Sequence, residues 1–204
     1  MAAIITSNFT MPEQFADGCG EVVKHAVIAD PELFAELEKT PLTLELLNRD
    51  VARVALIIAR NIDIKRAVVV ADEHETNQRK LLNFGHSAGH AVEACEHFEL
   101  GHGNCVSIGM GIITRAAALH GACDAALPGR IEKLCARHGL KTRCDLDADA
   151  VFAEALHDKK RAGDTIDLVI PHGIGRCSID RTPLSTFHEL IAEGLGQKGD
   201  ASAC

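Results

Sequence analysis

Three histidines and the glycines around them carry the clearest chemistry in this sequence. His86 and His90 stand four residues apart in Asn83-Phe84-Gly85-His86-Ser87-Ala88-Gly89-His90, and Gly101-His102-Gly103 follows. On a helix, residues i and i+4 share one face, so the first two imidazoles can converge on a single ion. Imidazole is the commonest metal ligand among side chains. Flanking glycines remove side chains that would block a close approach by the segment carrying the third histidine. The spacing points to a metal or polar active site. The plain alternative is a pair of satisfied core histidines and a loop histidine.

The elements that must position these residues are mostly helical. Residues 12–29 place Phe15, Val22, Val23, Val27 and Ile28 on one face, with Glu21 and Lys24 three apart on a shared face. Asp30-Pro31 reads as a cap followed by proline in the first turn, opening a short helix through Leu33, Phe34 and Leu37. From Thr43 to about Ile64 an apolar stripe predicts one long amphipathic helix. Lys65–Asp72, with Ala67-Val68-Val69-Val70, fits a short strand or the end of that helix. Glu73–Gln78 reads as a loop, and Lys80–Phe98 as a helix carrying His86 and His90. Gly101–Asn104 breaks the pattern. Val106–His120, Pro128–His138 and Asp147–His157 are three further helices. Thr165–Ile170 and Arg176–Ile179 are β-rich and flank a five-residue loop, Pro171–Gly175, which predicts a hairpin. Thr182-Pro183 caps a last helix through Leu195. Residues 1–10 read as an extended lead and 197–204 as a frayed tail. The fold class is mainly α: one multi-helix domain over residues 1–204 with a small β-hairpin near the C-terminus.

Composition narrows the function. A net charge of -8 argues against a nucleic-acid groove and an anionic membrane surface, and no apolar run reaches the ~20 residues of a membrane span. Tyr and Trp are absent, which disfavours base-stacking platforms. The eight cysteines form no CxxC pair and no secretory leader is visible, so reduced thiols in a cytoplasmic protein are expected. Neither GxGxxG nor GxxxxGK[ST] occurs, and βαβ alternation is lacking. Any redox cofactor would need another chain or a segment not present here.

Taken in order, several segments resemble the C-terminal, metal-bearing half of the 3-dehydroquinate synthase family. They are Gly20-Glu21-Val22-Val23-Lys24, Asp72-Glu73-His74-Glu75, Arg79 through His86, Gly89-His90-Ala91-Val92-Glu93, His102-Gly103, Ile108-Gly109-Met110, Asp158-Lys159-Lys160 and the hairpin from Ile170-Pro171 to Gly175. No single motif decides the match; the ordered spacing does. The family's NAD-binding half has no counterpart in the sequence. Asn104 stands where the family usually has Glu, Asn77 where it has Gly, and Gly20 where Ala is common.

The resemblance implies roles residue by residue. Glu21, His86 and His102 match the ligands of a divalent metal, usually zinc. Lys24, Lys65, Arg79, Asn83, His90, Lys159 and Lys160 match positions that bind the carboxylate, hydroxyls and phosphate of a seven-carbon sugar acid phosphate. Arg and Lys suit such oxyanions even on an acidic protein. Without the resemblance, Glu21 with Lys24 is a solvated pair, and Lys65, Arg79, Asn83 and the Lys159-Lys160 pair are ordinary surface groups. The implied reaction is a shikimate-pathway cyclisation: NAD-dependent oxidation of a ring hydroxyl, phosphate elimination, return of the hydride, ring opening and aldol closure to 3-dehydroquinate. By resemblance, this carbon–oxygen lyase activity requires a separate NAD-binding half, and a homodimer is expected. Two other readings stand beside it. One is a related sugar-phosphate cyclase; the other is an inactive metal-binding or assembly remnant.

Overall fold

A computed structural model describes residues 12–72, 78–157 and 163–197. The extended lead, the loop at 73–77, the Asp158-Lys159-Lys160 segment and the tail beyond 197 lie outside those residues.

The centre of the fold is helix α6 (His102–Leu119), buried along most of its length from Gly103 to Ala117. It contains Gly103, Gly109 and Gly111 among small and aliphatic residues, so neighbouring backbones approach closely. Helices α1 (Pro12–Ala29), α5 (His86–Cys95), α7 (Leu127–Arg137) and α9 (Leu184–Leu195) pack against it. Helix α8 (Ala148–His157) packs on α5 and α9. The expected hairpin is present as β1 (Thr165–Gly173) and β2 (Arg176–Pro183), antiparallel, with Thr165 opposite Pro183 and an irregularity between Pro171 and Gly173. Its strands run further than the β-rich residues suggested. The turn is therefore Ile174-Gly175 rather than five residues, with Gly175 at φ +75°.

Three other boundaries differ from the sequence reading. The long helix expected over residues 43–64 is two helices, α3 (Leu44–Arg49) and α4 (Val51–Ala71). Asp50 separates them: its side chain accepts a hydrogen bond from Arg53 N–H at 3.0 Å and caps the second helix. Helix α4 carries through Val68-Val69-Val70, so the ambiguous stretch is helical despite its β-branched residues. The helix expected from Lys80 begins only at His86. Residues Gln78–Asn83 form a 3-10 turn, and Gly85 at φ +77° caps the start of α5. Finally, α9 is capped by Pro183 without a side-chain bond; Thr182 belongs to β2. The predicted Asp30 cap is present, accepting from Leu33 N–H at 3.0 Å, with Pro31 in the first turn.

Two close approaches set the geometry of the site. A Cβ on Gly103 would overlap the Asp17 backbone, lying 2.6 Å from the Asp17 carbonyl oxygen, and the Asp17 carboxylate accepts Gly103 N–H at 2.8 Å. Only glycine there lets α1 and the start of α6 touch. A Cβ on Gly109 would collide with the Gly85 carbonyl, so α6 also meets the turn before α5 backbone to backbone.

Candidate metal centre and substrate cavity

Those contacts bring three helix segments to one place. His86 opens α5, His90 follows one turn later, His102 opens α6, and Glu21 lies on α1. The imidazoles of His86, His90 and His102 are mutual neighbours, with ring centroids 5.3–5.7 Å apart. Each offers a nitrogen within 4.8 Å of the others. Glu21 Oε1 lies 3.7 Å from His86 Nε2. Among the described residues the three histidines form the group whose ligand atoms are mutually close, and Glu21 approaches it at His86.

Hydrogen bonding determines which nitrogens are available. His86 Nδ1 donates to the Phe84 carbonyl at 3.2 Å, leaving a lone pair on the Nε2 that faces Glu21. His102 Nδ1 points at Glu93 Oε2 at 3.4 Å, which favours a lone pair on its Nε2 as well. A ligand histidine whose second nitrogen donates to a carbonyl or carboxylate is the usual arrangement around a bound metal. His90 has no such partner among the described residues; it is exposed and lines the neighbouring cavity.

Charge is concentrated behind His86. Lys24 is nearly buried and bonds both Glu21 oxygens, at 2.9 and 2.8 Å. Burial acts to raise the Glu21 carboxyl pKa, but the Lys24 charge and hydrogen bond, helped by His86 and His25, hold it below the usual carboxylate range. Burial also lowers the Lys24 ammonium pKa by more than Glu21 restores, and the nearby Lys65 charge lowers it further. His86 is pushed down to about 4, chiefly by burial and then by Lys24, against an opposing pull from Glu21. Its neutral imidazole is the form that binds metals.

Behind Glu21 lies a buried histidine. Asn61 Nδ2 donates to the Ile57 carbonyl at 2.8 Å, so its Oδ1 accepts from His25 Nδ1 at 3.0 Å. His25 Nε2 is then a bare acceptor with no hydrogen-bond partner among the described residues, 4.0 Å from Glu21 Oε2. Three neutral-capable imidazoles and a carboxylate supply lone pairs here, and the one cation against them, the Lys24 ammonium, sits on Glu21. Nitrogen and carboxylate donors of this kind suit a divalent cation at His86, with His90, His102 and Glu21 as the neighbouring donors.

An open cavity of about 1180 Å³ adjoins His86 and His90. Asn83 and Glu93 line it near the histidines, and Lys80, Asp167 and Arg181 line it on the hairpin side. Lys80 Nζ is 2.6 Å from Asp167, which ties the 3-10 turn to β1. Arg181 donates to Thr165 Oγ1 at 3.0 Å. His157 and Thr165, on either side of the Lys159-Lys160 segment, also line the cavity.

Other sequence-predicted residues are more scattered. Arg79 donates its backbone N–H to Asp72 at 3.0 Å. Lys65 is exposed on α4, close enough for its charge to act on Lys24 and His25. Neither lines the cavity wall. Two residues at the site had no role assigned from sequence. Glu93 orients His102, and its place one turn after His90 was the available signal. Asp17, one turn before Glu21, holds the start of α6.

The family model described as 3-dehydroquinate synthase C-terminal matches residues 18–161. The chain is 36% identical to 3-dehydroquinate synthase of Streptococcus suis (strain 05ZYH33) over 180 residues, covering 87% of this chain and 50% of the relative. It is 39% identical to that of Acetivibrio thermocellus over 177 residues, covering 84% and 49%. The chain belongs to the 3-dehydroquinate synthase family. It spans about half the length of these curated relatives. The same fold occurs in 2-epi-5-epi-valiolone synthase from Streptomyces hygroscopicus subsp. jinggangensis 5008, solved with NAD+ and Zn2+ bound. That match has TM-score 0.79 and 22% identity, over 93% of this chain and 53% of that one. It occurs too in 2-deoxy-scyllo-inosose synthase complexed with carbaglucose-6-phosphate, NAD+ and Co2+, with TM-score 0.73 and 21% identity over the same shares. Among the described residues, no helix is long and apolar enough to cross a membrane.

Proposed function

We propose that this chain is the metal- and substrate-binding half of a 3-dehydroquinate synthase, acting together with an NAD-binding half. The observation that carries this reading is the pair His86 and His102. Each has its Nδ1 taken by an oxygen acceptor and its Nε2 open, and the Glu21 carboxylate lies beside His86. Glu21, His86 and His102 would hold a divalent cation, zinc by family resemblance, which would supply Lewis acidity. NAD, held by the other half, supplies hydride transfer.

The chain's own residues bind and orient the substrate and handle protons. His90 faces the cavity with no hydrogen-bond partner among the described residues, so it can exchange a proton with a substrate hydroxyl or carbon. Asn83, on the same wall, offers an amide to ring hydroxyls. By family resemblance, Lys24, Lys65, Arg79, Lys159 and Lys160 supply positive charge for the carboxylate and phosphate, although Lys65 and Arg79 stand away from the cavity wall. The cavity is large enough for a seven-carbon sugar acid phosphate. Helix α4 leaves Val51, Leu56, Ile62 and Val70 more than half exposed, which supports a surface covered by a further chain or segment.

The test mixes this chain with the NAD-binding half of a related synthase, NAD and zinc, and follows phosphate release from the sugar acid phosphate. Phosphate release accompanied by 3-dehydroquinate is expected, and is lost in His86→Ala. Zinc binding with no release from any partner half counts against the reading. Turnover only of a non-acidic sugar phosphate would assign the chain to a related cyclase, whose fold it shares.

A further inference from the structure

The ion pair between Lys24 and Glu21 has a consequence for how the site loads. Lys24 Nζ sits 2.9 Å from Glu21 Oε1 and 2.8 Å from Oε2, so one ammonium holds both carboxylate oxygens. Oε1 is also the oxygen that faces His86 Nε2, at 3.7 Å. A dication bound to both atoms must sit about 2 Å from each. It would then lie within a few ångströms of the ammonium, in a site where Lys24 is 2% exposed and water screens little. Two like charges cannot share that oxygen at that range without a large repulsion, so cation and ammonium compete for Oε1.

Among the described residues, the surroundings offer Lys24 no substitute. Within its own helix it meets Glu21 and the neutral His25, from α5 the neutral His86, and from α4 it feels Lys65, a second cation. Among the described residues, Glu21 is the only carboxylate recorded against it. An ammonium displaced from Glu21 is therefore a nearly buried cation beside another cation. An oxyanion is the partner that restores neutrality there.

We propose that Lys24 acts as a latch on the metal ligand Glu21: it holds the carboxylate in the metal-free chain, and cation binding releases it to take an oxyanion. Metal and oxyanion then bind with positive coupling, and reciprocity requires each to tighten the other by the same factor. Lys24 is a positioning residue for Glu21 before loading and an anion-binding residue after it. The inference rests on the metal reading proposed above.

The test uses the full chain, with Co2+ as the metal and inorganic sulfate, a weak ligand of Co2+, as the oxyanion. Calorimetric titration at fixed pH should show Co2+ affinity rising about fivefold or more at saturating sulfate, the lower end of ordinary coupling. In Lys24→Met, an apolar side chain of similar length, Co2+ should bind more tightly than in the wild type, and sulfate should change its affinity less than about twofold. In crystals of the Co2+-loaded wild type, Lys24 Nζ should lie beyond hydrogen-bonding distance of Glu21 Oε1. Equal or weaker Co2+ binding in Lys24→Met, coupling that survives in it, or an intact Lys24–Glu21 pair beside bound Co2+ would each overturn the latch. Those outcomes leave the metal reading standing, whereas a wild-type chain that binds no Co2+ removes both.

Discussion

Replacing Gly103 by alanine links packing to site geometry in one substitution. Gly103 is the second residue of α6, where alanine gains up to about 1 kcal/mol of helix propensity over glycine. The new methyl would overlap the Asp17 Cα and sit 2.6 Å from its carbonyl oxygen and 2.8 Å from its carbonyl carbon. Ordinary contacts need about 3.5 Å, so α1 and α6 must separate by something like 1 Å. Neither side can yield by rotating a side chain, because both are backbone. Forcing a methyl group into a packed core costs about 1–3 kcal/mol, and the Asp17 bond to Gly103 N–H stretches as well. The overlap outweighs the propensity gain, and the net loss is about 1–2 kcal/mol. For a chain of this length that lowers Tm by about 2–8 °C. The same separation moves Glu21 on α1 away from His102 on α6, and a site displaced by about 1 Å loses much of its function. Zinc affinity, measured by competition with a chromophoric chelator, should fall at least about tenfold. Gly129→Ala is the control: it also lies in a helix, and a Cβ there meets nothing within 4 Å. It should be neutral or stabilising by up to about 1 kcal/mol. A Gly103→Ala chain that melts with the wild type and binds zinc equally well would refute the reasoning.

Three further outcomes are expected. Glu93→Gln weakens zinc binding without lowering Tm; the contact is 3.4 Å and His102 is 43% exposed, so the loss belongs at the low end of the 10–100-fold range for outer carboxylates, about tenfold. An unchanged affinity in the same chelator competition would remove Glu93 from the site. Acid weakens the fold partly through His138, whose Nε2 accepts Leu42 N–H at 3.1 Å and whose Nδ1 donates to the Leu134 carbonyl at 2.8 Å. Burial lowers its pKa, with Arg137 adding to the fall and the Leu134 bond opposing it. Its contribution is therefore complete above its unfolded pKa of about 6.5 and lost as pH drops toward the lower folded value. The urea midpoint should fall between pH 7 and 5 by less in His138→Gln than in the wild type, and equal slopes would contradict the assignment. Asp167→Asn breaks the Lys80 tie between the 3-10 turn and β1, a partly exposed pair, so Tm should change little, by less than about 1 kcal/mol equivalent. Substrate affinity of the reconstituted enzyme should drop nonetheless, because Asn83 ends that turn; an unaltered KM would show that the tie does not position the wall.

Sequence made the helices legible wherever the apolar stripe ended at a cap with a clear mechanism. Asp30-Pro31 is the plainest case. It failed at Asp50, where the stripe runs on without a gap while the side chain turns back to the backbone and starts a new helix. It failed again at Gly85, because Leu81 and Leu82 continue a helical pattern that the backbone abandons for a 3-10 turn and a positive φ. In α4, β-branched residues left helix and strand open; the structure continues the helix through them. The histidine set was readable because its spacing is local and its glycines are frequent. Glu93, Asp17 and His25 escaped because their importance lies in contacts with another element or, for His25, in an unpaired nitrogen that only the buried setting reveals. The Lys24–Glu21 spacing was visible, and the family resemblance gave both residues a role, but the spacing alone read as a solvated pair and did not show that Lys24 is nearly buried.

The central claim is a cation held by one carboxylate and two imidazoles. Anomalous diffraction at the zinc edge from crystals grown with zinc tests it directly. A single peak about 2.0–2.2 Å from a Glu21 oxygen, His86 Nε2 and His102 Nε2, with His90 outside bonding range, is the predicted result. A peak bound by His86, His90 and His102 with Glu21 still on Lys24, or no peak among these residues, would contradict it.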